Sequence, residues 1–295
     1  MALPFFTLSR EGDRAKVMTD RECIEFLQAC LPRLRLRWPG FRKVRRQVCK
    51  RLNRRIGELN LPDLAAYRDH LAGHAGEWEI LDSLCRITIS RFYRDRGVFD
   101  TLRSGILPQL AKTAFEAGQE EVRCWCAGCC SGEEAYTLQI LWRIDVVPGM
   151  AKSLPLRIFA TDMDSGLLER ARKGIFPESS LGDLPREYLF AAFLPSGDNY
   201  AIKDPFRKDI AFARQDIRRE LPEGTFSLIL CRNLVFTYFA EALQFEVLEG
   251  IVEKLAPGGI LVVGIHESLP RGIDTVLPYN RMAGIYRKAG ASNRT

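Results

Sequence analysis

The feature that most constrains the fold is an alternation of short apolar runs with helical segments after about residue 120. Five runs of strand length follow one another, at residues 122–127, 156–161, 210–213, 226–231 and 259–264. None of them alternates strictly between apolar and polar residues, which is typical of strands covered on both faces. Helical segments lie between most of the runs, at residues 133–143, 165–172 and 240–255. The fold class is therefore predicted to be α/β, with a doubly wound parallel sheet.

The N-terminal part of the chain differs, because it shows helical periodicity and no strand alternation. We expect residues 1–20 to form an arm and residues 21–95 to form an all-helical domain, followed by the α/β domain over residues 96–295. Residues 174–209 are rich in proline, glycine and charge and break the strand–helix rhythm. They are interpreted as an insertion that carries one clear strand, near residues 200–203.

A basic amphipathic helix is predicted over residues 41–59, within a stretch from Leu31 to Gly57 that holds eleven Lys or Arg and no acid. Its docking candidates are the cations Arg45, Arg46, Lys50, Arg51, Arg54 and Arg55. A local basic face implies an acidic partner. Three interpretations stay open, namely a solvated face, a docking surface for an acidic helical protein, and a nucleic-acid surface. The last is disfavoured, because aromatic residues for base stacking are not interleaved with the cations.

Composition excludes several further classes. No run of about 18 apolar residues is present, so no membrane insertion is expected. The nine cysteines are irregularly spaced, which favours reduced thiols and a cytoplasmic location over a disulfide framework. Cys124, Cys126, Cys129 and Cys130 lack the recurring C-x₂-C pairs of zinc sites, so no metal is predicted.

The segment with the most chemical information joins the first predicted strand to the next helix. Gly128 and Gly132, which follow Ala127, permit a tight turn and close approach of a ligand to the backbone. Glu133 and Glu134 then begin the helix, where they suit its dipole but oppose a bound phosphate. They suit the ammonium or sulfonium of S-adenosylmethionine, which we predict as the cofactor in place of NAD. A nucleoside triphosphate is disfavoured because the turn has no G-K-[ST].

An aspartate stands at the tip of the second predicted strand. Asp162 is well placed there for the hydroxyls of a ribose. Asp164, two residues later, is expected to cap the helix that begins near Ser165.

Together these motifs resemble the CheR family, the chemotaxis-receptor glutamate methyltransferases. The matching segments are SRFYR (90–94), AGCCSGEEAY (127–136), ATDMD (160–164), CRN (231–233), LAPGG (255–259) and GIHE (264–267). The resemblance implies a small helical N-terminal domain and a Rossmann-like methyltransferase domain with a small inserted antiparallel β-subdomain. It also implies methyl transfer from S-adenosylmethionine to a glutamate carboxylate of a receptor.

The resemblance assigns roles residue by residue. It places Arg94 near the reacting methyl group, Glu133 or Glu134 at the amino group of the cofactor, and Asp162 at the ribose. Further cofactor contacts are expected from Ala127, Gly128, Gly132, Met163, Asp216, Ile217 and Asn233, with Asp216 near the adenine. The residues expected to be catalytic are Arg94, Arg232 and Tyr238.

The chemistry suits these residue types. A glutamate carboxylate, with a pKa of about 4.3, is already ionised at neutral pH, so no general base is needed. Arginine can hold such a carboxylate by two parallel hydrogen bonds, as expected of Arg94 and Arg232. For Arg94 a structural ion pair with Asp95 or Asp100 remains the alternative. For the whole chain two other functions stay open, namely methylation of a small organic acid and a non-catalytic module that binds S-adenosylmethionine or docks a partner.

Overall fold

The computed structural model describes residues 18–279 and 284–289. The chain divides into two compact units after Ile87, rather than after residue 95 as expected. Residues 88–95 belong to the second unit because Phe92 packs edge-on against Phe176 and Phe193, at 4.8 and 5.2 Å between ring centroids. The expected arm over residues 1–20 lies almost wholly outside the described residues. No described helix is long and apolar enough to cross a membrane.

In the first unit, the described residues form helices joined by short turns. They are α1 (Asp20–Cys30), α2 (Trp38–Phe41), α3 (Arg45–Glu58), α4 (Leu64–Gly73) and α5 (Glu77–Leu84). Helix α1 begins at a capping box, in which Thr19 accepts from the N–H of Glu22 and Glu22 accepts from that of Thr19. The predicted basic helix is confirmed as α3, but it begins at Arg45, because Trp38-Pro39 opens a separate short helix.

One expectation about the cysteines is wrong in this unit. The structure joins Cys23 of α1 to Cys49 of α3 by a disulfide, with their Cα atoms 6.0 Å apart. The sequence does not reveal the pair, because it depends on α1 and α3 lying side by side. The other seven cysteines are free.

The described part of the second unit contains ten strands in two sheets. In chain order they are β1 (Val122–Ala127), β2 (Leu156–Asp162), β3 (Ile175–Pro177), β4 (Phe193–Ser196), β5 (Asn199–Ile202), β6 (Ile210–Arg214), β7 (Phe226–Leu230), β8 (Leu255–Val262), β9 (Val276–Pro278) and β10 (Ile285–Lys288). The larger sheet has the order β6-β2-β1-β7-β8-β10-β9. Its first five strands run parallel, and β10 runs antiparallel to β8 and β9. The predicted α/β fold is confirmed, whereas the antiparallel hairpin β9–β10 was not predicted.

Helices cover this sheet and connect its strands. They are α6 (Arg96–Thr101), α7 (Leu107–Glu116), α8 (Glu133–Leu141), α9 (Ser165–Lys173), α10 (Glu178–Leu181), α11 (Arg186–Ala192), α12 (Val235–Tyr238) and α13 (Glu241–Lys254). The expected cap of α9 is confirmed, since the Asp164 carboxylate accepts from the N–H of Leu167 at 3.0 Å. Gly174, in a left-handed conformation, ends the same helix.

The segment 174–209 forms a small antiparallel sheet with the order β3-β5-β4, flanked by α10 and α11. The small inserted antiparallel β-subdomain that the resemblance implies is therefore confirmed, with three strands where the residue pattern indicated one. The strands are too short to show a period, and Pro177 and Pro195 stand in two of them.

The chain order of the large sheet reverses beside β1. From β1 the chain builds outward through β2 and β6, and then returns to the other side of β1 through β7 and β8. Ligands of open α/β sheets bind at such a switch point, outside the carboxyl ends of the strands. A binding site is therefore expected at the carboxyl ends of β1, β2 and β7.

Candidate functional site

The turn after β1 closes back on β2. The N–H groups of Gly128 and Cys129 donate to the carbonyl of Thr161 at 2.8 and 2.9 Å. Gly128 and Gly132 have φ of +71° and +88°, which glycine adopts without steric cost. A Cβ on Gly128 would lie 2.5 Å from Cδ2 of Leu234. The backbone thus forms a cradle in which a side chain at Gly128 would be strained and would have to displace the Leu234 side chain.

Glu133 is buried at the start of α8 and only 2% exposed. Burial raises the pKa of its carboxyl, although Ser90 and Ser131 donate hydrogen bonds that oppose the shift. The Oε2 atom is buried and has no hydrogen-bond partner. A buried carboxylate oxygen without a donor is unfavourable by itself, so this position fits a cationic ligand such as the ammonium of S-adenosylmethionine.

Glu134 has a different environment, because its Oε1 accepts from Nη1 of Arg232 at 2.6 Å. Arg232 is 7% exposed, and its Nη2 donates to Oδ2 of Asp95 at 2.6 Å and to the carbonyl of Arg94 at 3.0 Å. These contacts tie the loop around Arg94 to the start of α8. The arrangement favours Glu133 over Glu134 for the cofactor, and it favours a supporting role for Arg232 over the expected contact with the acceptor.

Arg94 projects from a strained loop. Both of its neighbours have left-handed backbones, with φ of 57° at Tyr93 and 62° at Asp95, which is uncommon outside glycine. The expected alternative ion pairs are not formed among the described residues, because Asp95 pairs with Arg232 and Asp100 accepts from the Tyr93 hydroxyl at 2.8 Å. The guanidinium instead donates to the carbonyl of Ile89 at 2.9 Å.

Tyr238, at the end of α12, lies near Arg94. Burial raises the pKa of its phenol, and the positive charge of Arg94 opposes that shift. Cys130 of the glycine turn also acts on this phenol electrostatically. Arg94, Tyr238 and the turn are therefore brought together, although they are distant in sequence.

Asp162 stands between the turn and the tip of β2. Its Oδ2 accepts from the N–H of Cys130 at 2.9 Å, and its Oδ1 accepts from the N–H of Asp164 at 2.9 Å. The carboxylate therefore fixes the turn at the crevice between β1 and β2. This position is the one that a ribose-binding acid needs in a fold of this kind.

Asp216, after β6, forms a two-pronged ion pair with Arg218. Nε and Nη2 of Arg218 lie 2.9 Å from Oδ1 and Oδ2 of the carboxylate. Burial alone would raise the pKa of Asp216, but the hydrogen bonds and charge of Arg218 hold it below its usual value. Arg218 Nη2 also lies 3.4 Å from Sδ of Met163, and half-buried Ile217 is adjacent. Asp216, the residue expected near the adenine, and Met163, a further expected cofactor contact, are thus joined by an arginine that sequence reasoning missed.

Glu267 is the other residue that sequence reasoning missed. It is 8% exposed, and its Oε2 accepts from the N–H groups of Asn233 and Gly264 at 2.8 and 2.6 Å. Its Oε1 accepts from the Thr237 hydroxyl at 2.6 Å. Glu267 therefore shapes the loop that carries Asn233, whose φ is +53°, and the helix that ends at Tyr238. The match of the GIHE segment was the only signal for it.

The thiols in the turn are not poised for reaction. Burial, helped by the charge of Asp162, raises the pKa of both Cys129 and Cys130. A thiol with a raised pKa carries little of the nucleophilic thiolate. Within residues 18–279 and 284–289, no group of three or more His, Cys, Asp or Glu is arranged to hold a metal ion.

In the first unit, three of the six docking candidates on α3 have structural contacts. Arg45 pairs with Asp20 at 2.8 Å and Arg55 pairs with Glu77 at 2.7 Å. Arg51 donates to two backbone carbonyls near the end of α5. These three side chains are partly buried, so they serve the helical packing of the unit rather than a free surface.

The other three candidates are exposed. Arg46 and Lys50 lie one helical turn apart, and Arg54 lies one turn further, 3.4 Å from Glu58. Arg42 and Lys43, which were not among the candidates, are exposed just before the helix. We define these five cations (Arg42, Lys43, Arg46, Lys50 and Arg54) as the basic stripe. The stripe replaces the six predicted cations as the candidate docking surface.

The chain is similar to several known methyltransferases. The family described as CheR methyltransferase, SAM binding domain, matches residues 88–282. A chemotaxis protein methyltransferase of Listeria monocytogenes is 33% identical over 190 residues, which cover 63% of this chain and 68% of that protein. The chemotaxis protein methyltransferase of Escherichia coli is 30% identical over 234 residues, or 76% and 77% of the two chains.

Two other comparisons show less about function. An uncharacterized 104.1 kDa protein of Rhodobacter capsulatus is 33% identical over 222 residues, which cover 75% of this chain but only 23% of that protein. The glycopeptide N-methyltransferase MtfA complexed with sinefungin has a TM-score of 0.31 and 12% identity, covering 59% of this chain and 54% of MtfA. A structural similarity this weak says nothing of the acceptor.

Proposed function

Because this chain belongs to the CheR methyltransferase family and is an S-adenosylmethionine-dependent methyltransferase, we propose that it methylates carboxylates of a protein. The acceptor in this proposal is a glutamate side chain of a chemoreceptor-like protein, and the product is its methyl ester. The chemotaxis relatives support this acceptor and a cytoplasmic location, since they carry the name chemotaxis protein methyltransferase.

The observation that carries the proposal is the environment of Arg94. The two nearby aspartates are engaged elsewhere, by Arg232 and by Tyr93, so the guanidinium keeps its positive charge without a carboxylate partner in the described chain. A cation held next to Tyr238 and the glycine turn is complementary to an ionised carboxylate. Since that carboxylate is already a nucleophile at neutral pH, Arg94 needs only to bind and orient it.

The cofactor side of the site is consistent with this chemistry. When bound, S-adenosylmethionine supplies a methyl group attached to a positively charged sulfur. Glu133 would hold its ammonium, Asp162 its ribose, and the group around Asp216 and Met163 its adenine. Glu267 keeps Asn233 in the cleft, and Arg232 keeps the Arg94 loop against α8.

A small organic acid is the second candidate acceptor, because Arg94 would bind its carboxylate equally well. The basic stripe on α3 favours a protein, since five exposed cations are of no use to a small molecule but suit an acidic helical surface. A non-catalytic module is disfavoured by the unpaired Arg94, which cofactor binding alone would not require.

The test is transfer of tritiated methyl from S-adenosylmethionine to a cytoplasmic chemoreceptor fragment. Methyl esters are recognised because alkali releases their label as volatile methanol. Arg94→Ala should lower turnover by about 100-fold, the effect expected when about 2.7 kcal/mol of orientation is lost, and Arg94→Lys should restore part of it. Arg91→Ala is the matched control, because Arg91 lies in the same loop, exposed and paired with Asp183.

Each variant should still bind S-adenosylhomocysteine, which shows that the fold is retained. Full turnover by Arg94→Ala would remove Arg94 from the reaction. Label found only in a small organic acid, and never in protein, would favour the second candidate. Bound S-adenosylhomocysteine with no transfer to any carboxylate would favour the non-catalytic module.

A further inference from the structure

The disulfide between α1 and α3 is a feature of the first unit that methyl transfer does not use. The Cα atoms of Cys23 and Cys49 lie 6.0 Å apart, a separation that a disulfide spans without movement of the backbone. In the cytoplasm, the location proposed for this chain, thiols are kept reduced, and the disulfides that do form there are usually transient or redox-sensing. A bond that opens and closes therefore fits this pair better than a permanent one.

Three contacts hold the start of α1 against one face of α3. The N–H of Met18 donates to Oδ1 of Asn53 at 3.1 Å, and Asp20 pairs with Arg45 at 2.8 Å. Cys49 lies midway between Arg45 and Asn53, one helical turn from each, and carries the third contact, the disulfide. The ion pair is partly exposed and contributes little by itself. The disulfide is therefore the contact of these three that a change of redox state can open.

The basic stripe lies directly beside these contacts. Its members on α3, Arg46, Lys50 and Arg54, each follow by one residue one of the three α3 residues that contact α1. Successive residues of a helix are about 100° apart around its axis, so the stripe occupies the neighbouring, exposed face of α3. Loosening of α3 from α1 would therefore change how firmly the stripe is held for an acidic partner.

The two sulfurs of the bond differ in access. Cys23 is fully buried, whereas Cys49 is half-buried and has the exposed cations Arg46 and Lys50 near it on α3. These cations attract an anionic thiolate such as that of glutathione, which reaches the sulfur of Cys49 more readily than that of Cys23.

The exchange is balanced by two thiols of one kind. A glutathione thiolate attacks the sulfur of Cys49, the bond between the two cysteines breaks, and Cys23 leaves as a thiolate that takes up a proton. A second glutathione thiolate then displaces Cys49 from the mixed disulfide. Two glutathione thiols become one glutathione disulfide, and their two electrons and two protons pass to Cys23 and Cys49. The reverse exchange closes the bond again.

The two other cysteines of the first unit are poor competitors. Cys30 and Cys85 are 8% and 3% exposed. Burial raises the pKa of both thiols, that of Cys85 to about 12. Such thiols carry little of the thiolate that attacks a disulfide, so the exchange stays within the Cys23–Cys49 pair.

We propose that the Cys23–Cys49 bond is a reversible switch, opened by glutathione and closed by glutathione disulfide, that controls docking of an acidic protein on the basic stripe. In the closed form α1 braces α3. In the open form the start of α1 separates from α3 more often, because a cross-link between cysteines 26 residues apart no longer restricts the opened chain. The control of docking rests on the proposed function, whereas the thiol exchange does not.

The exchange is tested with the full chain in glutathione buffers that run from oxidising to reducing, followed by alkylation of free thiols and mass spectrometry. Cys23 and Cys49 should both become alkylated as the buffer becomes reducing, and both should be protected again after reoxidation. Amide hydrogen exchange over α1 should be about tenfold faster in the reduced protein. Cys49→Ser should exchange at the faster rate in every buffer. The matched control in the same helix, Cys30→Ala, should switch as the wild type does.

Docking is measured by fluorescence anisotropy with a fluorescein-labelled, glutamate-rich peptide. Reduction of the wild type should weaken binding by about threefold, because a loosened helix has to be ordered when it binds. Cys49→Ser should bind with the weaker affinity in both buffers. Lys50→Glu, Arg54→Glu should bind weakly in both, which assigns the peptide to the basic stripe. Affinity for S-adenosylhomocysteine should be the same in both redox forms, since the residues proposed to hold it lie in the second unit.

Three results would overturn the switch. A bond that survives in reducing glutathione would be a permanent structural disulfide. Free thiols at Cys23 and Cys49 in oxidising glutathione would mean that the bond does not close. Equal peptide binding by the two redox forms would remove docking from its control. The proposed function fails separately. If the thiols and the peptide affinity switch together but no protein receives a base-labile methyl group in either form, the switch stands and the methylation proposal is wrong.

Discussion

Replacing Glu133 with glutamine should stabilise the free protein and weaken its binding of the cofactor. The carboxylate is 2% exposed, and this burial raises its pKa. Its Oε2 has no hydrogen-bond partner. Glutamine keeps the shape and removes the charge. Burying a charged group costs more than burying a neutral polar group of the same shape, so we expect the free energy of unfolding at neutral pH to increase by about 1 kcal/mol in the absence of ligand.

Cofactor affinity should change in the opposite direction. A hydrogen bond that involves a charged group contributes about 1.5–3 kcal/mol, so loss of the pair between Glu133 and the ammonium should raise the Kd roughly ten- to hundredfold. The proper probe is S-adenosylhomocysteine, compared with 5′-methylthioadenosine, which lacks the amino-acid end. The variant should lose affinity for the first compound and keep it for the second.

The pH dependence has a definite sign. Only the ionised Glu133 binds an ammonium, and its pKa in the free protein lies above its ordinary value of 4.5. Affinity for S-adenosylhomocysteine should therefore fall as the pH drops through that raised pKa, and binding near it should release protons. Titration calorimetry in buffers of different ionisation enthalpy measures this release. The Glu133→Gln variant should show neither effect.

Two outcomes would refute this reasoning. Unchanged affinity for S-adenosylhomocysteine would mean that Glu133 does not meet the ammonium. An equal loss for both compounds would mean that the substitution distorts the turn. Glu134→Gln is the matched control, because Glu134 pairs with Arg232. Its replacement should lower the stability of the protein rather than weaken S-adenosylhomocysteine selectively.

Two further substitutions test the framework. Glu77→Ala removes a carboxylate that is 5% exposed and pairs with Arg55, so urea unfolding should show a loss of about 1.5–3 kcal/mol, the range for hydrogen bonds to charged groups. Because Arg55 holds the pKa of Glu77 below its usual value, this stabilisation should be present above about pH 4.3. It should disappear as the pH falls through the lowered pKa. A loss well under about 1 kcal/mol in urea titrations at neutral pH would contradict the proposed role of the Glu77–Arg55 pair. Gly128→Ala places a Cβ 2.5 Å from Leu234 at φ +71°, so calorimetry should show loss of S-adenosylhomocysteine binding. Adding Leu234→Ala should restore binding only in part, since the backbone strain remains, and full binding by Gly128→Ala alone would contradict the cradle.

Much of the α/β fold could be predicted because its signals are local. The strand runs, the cap at Asp164 and the glycine turn each depend on a few adjacent residues, and the structure confirms them. The expectation that every run is covered on both faces is wrong for β6, which is an edge strand with no buried residue. The antiparallel pair β9–β10 and the disulfide between Cys23 and Cys49 were not predicted, and the small sheet β3-β5-β4 was expected only from the family resemblance. Each depends on segments that become neighbours only when the chain has folded.

The candidate site likewise has parts that local sequence predicts and parts that only the folded chain reveals. The sequence indicated that an acid at the start of α8 would meet a cation, but it could not choose between Glu133 and Glu134. That choice depends on Arg232, which lies 98 residues after Glu134 and takes its carboxylate. The role of Glu267 was hidden for the same reason, because the backbone groups that it accepts from are brought to it by β7 and β8.

The most direct measurement of the central claim is the chemical form and position of the transferred methyl group. The protein is incubated with labelled S-adenosylmethionine and a cytoplasmic chemoreceptor fragment, and the acceptor is then digested and sequenced by mass spectrometry. Our account predicts a base-labile methyl ester on glutamate, lost with Arg94→Ala and retained with Arg91→Ala. A base-stable methyl group on nitrogen or sulfur, or no transfer by a protein that binds S-adenosylhomocysteine, would contradict it.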